Sequence, residues 1–191
     1  MGKSEIERFL HAIDDELERF ARPGERLDLY LLGRSALILR YGLALATKDV
    51  DLVTRMDVPD LQRKAFELYG KGTANSRIWG LYLEGVPEAL PPLPGSYRRL
   101  AVDLPGNWKV LQPKQLELHD LAVTKLKRFH AGDREDLQIL CSAGLTKEGL
   151  ERALNSAFPF GMDDDEDPDC KRINDHCRKL IDYLEGRSRD L

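Results

Sequence analysis

The sequence has no C-x-x-C pair, no long apolar run and no excess of basic residues. Its three cysteines, Cys141, Cys170 and Cys177, are an odd number in a chain long enough to build its own core, so a disulfide framework is not expected. Cys170 and Cys177 are seven positions apart, the spacing of two helical turns, and His176 brings no second ligand pair. A zinc site there is therefore not expected. No apolar stretch approaches the roughly 18–20 residues that span a bilayer. Met1-Gly2-Lys3-Ser4-Glu5-Ile6-Glu7-Arg8 lacks the apolar block of a signal peptide. A cytoplasmic protein without membrane association is expected. The formal net charge of −4 excludes a strongly basic nucleic-acid coat protein. With 42% hydrophobic and 32% charged residues over 191 positions, the composition is that of a folded chain about one domain long.

What is present is a helix, then strands and helices in alternation, then helices alone. Ile6, Phe9, Leu10, Ile13, Leu17 and Phe20 recur at helical spacing, with Pro23-Gly24 as the stop. Leu27–Leu32 is a short apolar run that predicts a buried strand ending at Gly33. Ser35–Tyr41 then reads as a helix closed by Gly42. Asp49-Val50-Asp51-Leu52-Val53 alternates polar and apolar, the pattern of a strand with one wet face. A helix follows from Asp57-Val58-Pro59 to Gly70. Strands are expected at Ile78–Leu83, Tyr97–Leu104 and Trp108–Leu111, the last two joined by Pro105-Gly106-Asn107. From Gln115 onward the pattern is helical: to Phe129, Asp133–Ala143, Lys147–Phe158, and a last helix to Leu184. The expected class is α+β: a small mixed sheet flanked by helices over residues 1–113, and a helical region over 114–191 packed on it or continuous with it as one domain.

Two short segments carry the chemistry. In Leu31-Leu32-Gly33-Arg34-Ser35-Ala36-Leu37, a strand ends in glycine and a helix begins. Backbone N–H groups and the positive helix end then converge on one point, a place that binds phosphate. In Thr47-Lys48-Asp49-Val50-Asp51-Leu52, two carboxylates two apart emerge on one face of a strand. Such a pair repels itself unless a cation lies between, and hard oxygen ligands suit Mg²⁺ or Mn²⁺. Either segment alone is commonplace. Together, a phosphate cradle and a divalent-metal clamp describe a nucleoside triphosphate site.

These segments resemble the signature of the DNA-polymerase-β-type nucleotidyltransferase superfamily, and more narrowly its AbiEii/MenT-like branch of abortive-infection and toxin–antitoxin toxins. Asp120-Leu121-Ala122-Val123-Thr124-Lys125-Leu126 and Asp133-Arg134-Glu135-Asp136-Leu137 are similar to a second block of that branch. The resemblance covers most of residues 27–140. It implies a polymerase-β-like core that binds an NTP such as ATP and transfers a nucleotide to a tRNA 3′ end or a protein hydroxyl, with a cognate antitoxin as partner. It gives Asp49 and Asp51 the metal and Gly33, Arg34, Ser35 and Lys48 the phosphates. Lys125 would steady the charge of the leaving pyrophosphate, with Asp133 or Asp136 as an auxiliary acid.

On the helix around Leu118–Phe129, Lys125 falls within the apolar stripe, so it needs an anionic partner. Asp133, Asp136 and the triphosphate are the candidates. Arg34 replaces the family's second glycine. It would block the phosphate turn, point outward, or contact the γ-phosphate as a multi-donor cation. Asp103, among alternating neighbours, is the candidate third metal ligand, or else a plain turn-flanking aspartate. Lys109, Lys114, Lys125, Lys127, Arg128 and Arg134 make a locally basic stretch, either an acceptor-RNA face or a solvated surface. The acidic run 163–169 lacks the pattern of an EF-hand and reads as a solvated loop, a helix cap or a dock for a basic partner. The leading expectation is a metal-dependent nucleotidyltransferase. The alternative is a nucleotidyltransferase-like fold without catalysis that binds a nucleotide or a partner, which Arg34 favours.

Overall fold

In the computed structural model, residues 2–43, 46–159 and 167–191 are described. They form an α+β chain of two compact units: Met1–Glu88 with Ala101–Leu116, and Ala89–Leu100 with Glu117–Leu191.

The first unit holds all five strands found among the described residues: β1 (Leu27–Leu31), β2 (Asp49–Thr54), β3 (Tyr82–Pro87), β4 (Val102–Asp103) and β5 (Leu111–Gln115). Their order in the sheet is β3-β2-β1-β5-β4. β3 runs parallel to β2 and β5 parallel to β1, whereas β1 with β2 and β4 with β5 are antiparallel. The helices of this unit are α1 (Lys3–Leu17), α2 (Gly33–Tyr41), α3 (Asp60–Tyr69) and α4 (Ala74–Trp79).

The apolar stripe of α1 is fully buried, with Ile6, Phe9, Leu10, Ile13 and Leu17 all at 0% exposure. Phe20 lies beyond the helix end and stays half-exposed. Asp14 is buried on the same helix, and its carboxylate accepts backbone N–H bonds from Lys109, Val110 and Leu111 at 2.7–2.8 Å. One side chain thereby holds the entry to β5, three donors that would otherwise be costly to bury. Helix α2 buries Ala36, Leu37, Ile38 and Leu39. It ends at Gly42, whose φ of 63° is the left-handed conformation glycine adopts freely.

The second unit is helical: α5 (Tyr97–Leu100), α6 (Leu118–Leu126), α7 (Ala131–Ser142), α8 (Lys147–Ala157) and α9 (Pro168–Leu184). Thr146 caps α8 by accepting the Gly149 N–H, and Asp167 caps α9 by accepting that of Asp169. The remainder of the acidic run, residues 163–166, lies outside the described residues. Cys141, Cys170 and Cys177 form no disulfide.

Three expected strands are displaced. Ile78–Leu83 divides into the end of α4 and the start of β3. Thr73 caps that helix at the Ser76 N–H and Gly80 terminates it at φ 63°, so strand pairing begins only at Tyr82. Ile78, the first residue of the expected strand, is 79% exposed on α4. Within Tyr97–Leu104 the first half is the helical turn α5, closed by Leu100 N–H to Ser96 O, and only Val102–Asp103 pairs. The strand expected over Trp108–Leu111 begins at Leu111 instead. Trp108 turns back to donate its indole N–H to the Leu104 carbonyl, and Pro113 sits inside the strand.

Candidate functional site

The site of the first unit is built where β1 turns into α2. Leu31 pairs with Leu52 of β2, and the Leu32 N–H donates to the Asp51 carbonyl at 2.9 Å. This ties the turn to the middle of β2. Gly33 then takes φ +63°. The Asp51 carboxylate lies directly on it: a β-carbon at position 33 would overlap Oδ2 and stand 3.0 Å from Cγ. Glycine is required here twice, for the backbone angle and for the close approach.

The acids come from two neighbouring strands. Asp49 and Asp51 alternate with buried Val50 and Leu52, which turns both carboxylates to one face. On β3, Leu83 is buried in the same way, and the parallel register sets Tyr82 beside Asp49 and Glu84 beside Asp51. Asp49, Asp51 and Glu84 each offer a carboxylate oxygen within 4.8 Å of the others. Three anionic oxygens this close repel, and a hard divalent cation of the Mg²⁺ or Mn²⁺ kind fits the donor set. Thr47, nearly buried, brings its hydroxyl to 2.5 Å from Asp49 Oδ1 and orients that carboxylate. Tyr82 registers the local field. Burial first, then the charges of Asp49, Glu84 and Asp51, push its phenol above the ordinary value.

The residues expected to cradle phosphate are arranged less uniformly. Gly33, Arg34 and Ser35 form the first turn of α2, whose amides have no acceptor within the helix, and no acidic residue stands in that turn. Ser35 is fully buried, and its hydroxyl donates to the Leu32 carbonyl at 3.1 Å, so the side chain closes the turn from inside. Arg34 is half-buried and Lys48 is exposed.

Asp103 is not brought to this cluster. It sits on β4, with β5 and β1 between that strand and β2, and it pairs with Lys114 at 2.6 Å. Among the described residues Glu84 is the third carboxylate beside Asp49 and Asp51. The sequence reading missed both Glu84 and the role of Thr47. The alternation Tyr82-Leu83-Glu84 repeats that of Asp49-Val50-Asp51, but the strand expected at Ile78–Leu83 stops one residue short of Glu84.

In the second unit Lys125 is brought together with Asp133 and Asp136. Its Nζ donates to Asp136 Oδ2 at 2.7 Å and lies 3.7 Å from Asp133 Oδ1, and all three side chains are buried. Asp133 also accepts two bonds from Arg128 and the N–H of His130. Burial raises the Asp133 pKa, but the Arg128 bonds and the Lys125 charge outweigh it and hold the carboxyl below its ordinary range. Asp120 has the opposite environment. It is 1% exposed, its Oδ2 has no hydrogen-bond partner, and burial pushes its pKa up to about 6.

The basic stretch is largely neutralised. Lys109 pairs with Asp15 and Glu18, Lys114 with Asp28 and Asp103, Lys127 with Asp169, and Arg128 with Asp133. Counting sequence-local charge missed these partners because several of them lie elsewhere in the chain. No helix among the described residues is long and apolar enough to cross a membrane.

A family model described as a nucleotidyltransferase of unknown function (DUF6036) matches residues 8–147. That span contains the Gly33 turn and all three acids. No curated protein and no solved structure matches the chain.

Proposed function

We propose, for this chain that belongs to the DUF6036 family of nucleotidyltransferases of unknown function, that its first unit binds a nucleoside triphosphate with a divalent cation and transfers the nucleotide to a hydroxyl of a macromolecular acceptor. The observation that carries this is the Asp51 carboxylate packed on Gly33 with Asp49 and Glu84 in reach. A phosphate-binding turn and a cation-binding acid set then share one residue contact.

Asp49, Asp51 and Glu84 would hold Mg²⁺ or Mn²⁺, which supplies neutralisation of the triphosphate and a lowered pKa for the acceptor hydroxyl. The chain's own groups do the rest. The first-turn amides of α2, at the positive end of its dipole, receive phosphate oxygens. Arg34 and Lys48 add positive charge beside them. Thr47 keeps Asp49 in one orientation. In the transfer, the acceptor oxygen bonds the α-phosphorus as the bond to pyrophosphate breaks, and the hydroxyl proton leaves to water.

ATP as donor, a tRNA 3′ end or protein hydroxyl as acceptor, and a toxin role with an antitoxin partner are supported by the sequence resemblance to the AbiEii/MenT-like branch. The same resemblance supports a triphosphate contact for Lys125 and an auxiliary role for Asp133 or Asp136. The buried pairing of Lys125 with Asp136 supports a structural role instead. A second reading, a nucleotide- or partner-binding module without catalysis, is favoured by Arg34 in place of the second glycine and by the inward-turned Ser35 hydroxyl. Incubation with each labelled NTP and total RNA or cell lysate separates the two. Label should pass to RNA or protein with the wild type and not with Asp51→Asn. Cation-dependent ATP binding without transfer of label would establish the second reading.

A further inference from the structure

Tyr82 lies on the same sheet face as the acids, beside Asp49 in register and two residues before Glu84. The residue is half-buried, on the edge strand β3. The ammonium of Lys71 stands over one face of the ring, 5.5 Å from its centroid, so a base would stack on the opposite face. Lys71 does not reach it from a loose loop. The preceding Gly70 forms a β-bridge with Leu83, and a β-carbon at Gly70 would overlap the Phe66 carbonyl oxygen. Gly72 follows at φ +83°. The backbone thus fixes where Lys71 begins.

We propose that Tyr82 and Lys71 form a nucleotide subsite beside the acid cluster, the ring stacking a base and the ammonium meeting a phosphate oxygen. This rests on the nucleotidyltransferase reading and assigns it two residues that neither the sequence resemblance nor the acid cluster singles out. An aromatic face and a cation, both adjoining a cation-binding acid set, match the two chemical parts of a nucleotide. An edge-strand tyrosine that merely shelters the lysine stem would leave ligand affinity unchanged. The nucleotide is either the donor or the terminal nucleotide of an acceptor strand, and the chemistry read by the pair is the same.

The test is calorimetric titration of the full chain with three probes: MgATP, Mg-tripolyphosphate, and a short single-stranded oligoadenylate with Mg²⁺. Tyr82→Ala and Tyr82→Leu should weaken MgATP, if the donor stacks there, or the oligonucleotide, if the acceptor does. The expected loss is about 5- to 150-fold, the range of base–aromatic stacking. Tripolyphosphate affinity should not change, Tyr82→Phe should bind as wild type, and Lys71→Met should weaken the same nucleotide probe. Wild-type affinity of Tyr82→Ala for both nucleotide probes overturns the subsite while leaving the nucleotidyltransferase reading intact. Equal loss for all three probes also overturns it, since the substitution would then act through the acid cluster. A wild type that binds none of the probes overturns both.

Discussion

The Asp51 carboxylate rests against the α-carbon of Gly33 so closely that no side chain fits between them. The contact is set by backbone: Leu32 N–H to Asp51 O fixes the height of the turn along β2. Gly33→Ala must both place a β-carbon at φ +63° and displace the acid. We expect a loss of roughly 1–3 kcal/mol in stability and the loss of cation-dependent ATP binding. Urea unfolding, and thermal shift with MgATP, measure the two effects.

Asp14 is expected to be among the most sensitive positions outside the site. Asp14→Ala leaves the N–H groups of Lys109, Val110 and Leu111 without their acceptor. Bonds to a charged acceptor contribute about 1.5–3 kcal/mol each, so a destabilisation of at least ~3 kcal/mol is expected in urea. Asp14→Asn should recover only part of it, because its amide nitrogen would face donors.

Asp120 should make stability fall as pH rises. Its folded pKa of about 6 stands above the ordinary 3.8, so the folded state keeps a proton the unfolded state has lost. The associated stability is fully present below the unfolded value and disappears by about pH 6. Asp120→Asn should remove that slope and be more stable than wild type at pH 7 by up to about 3 kcal/mol. Denaturation series from pH 4 to pH 7 check it. Asp133 works in the opposite sense, since its lowered pKa gives stability that is lost as pH falls through the folded value.

Lys125→Met should be costly alone, by about 3–5 kcal/mol, because it strands buried carboxylates. Adding Asp136→Leu should recover much of the loss. A double-mutant cycle in urea gives the coupling directly.

Much of this architecture could be read from residue patterns. The helix stripe of α1, the strand β1 ending at Gly33, and the alternation of Asp49-Val50-Asp51 all follow local rules that burial reinforces. The fold class followed from their order. What failed was local signal contradicted by distant contacts. Ile78, expected in a strand, lies exposed on α4. The strand expected over Trp108–Leu111 lies instead at Leu111–Gln115, where its entry is organised by Asp14, nearly a hundred residues earlier. The site was half legible for the same reason. Asp49 and Asp51 share a strand and a visible spacing, whereas Glu84 joins them only through pairing of β2 with β3. Asp103 had the right local pattern on the wrong edge of the sheet.

The most direct test of the acid cluster is Mn²⁺ binding followed by electron paramagnetic resonance with ATP present. Wild-type protein should bind the ion, and Asp51→Asn and Glu84→Gln should each weaken binding at least tenfold, with Asp103→Asn indistinguishable from wild type. Loss of Mn²⁺ in Asp103→Asn with retention in Glu84→Gln, or no binding by the wild type, would contradict the account.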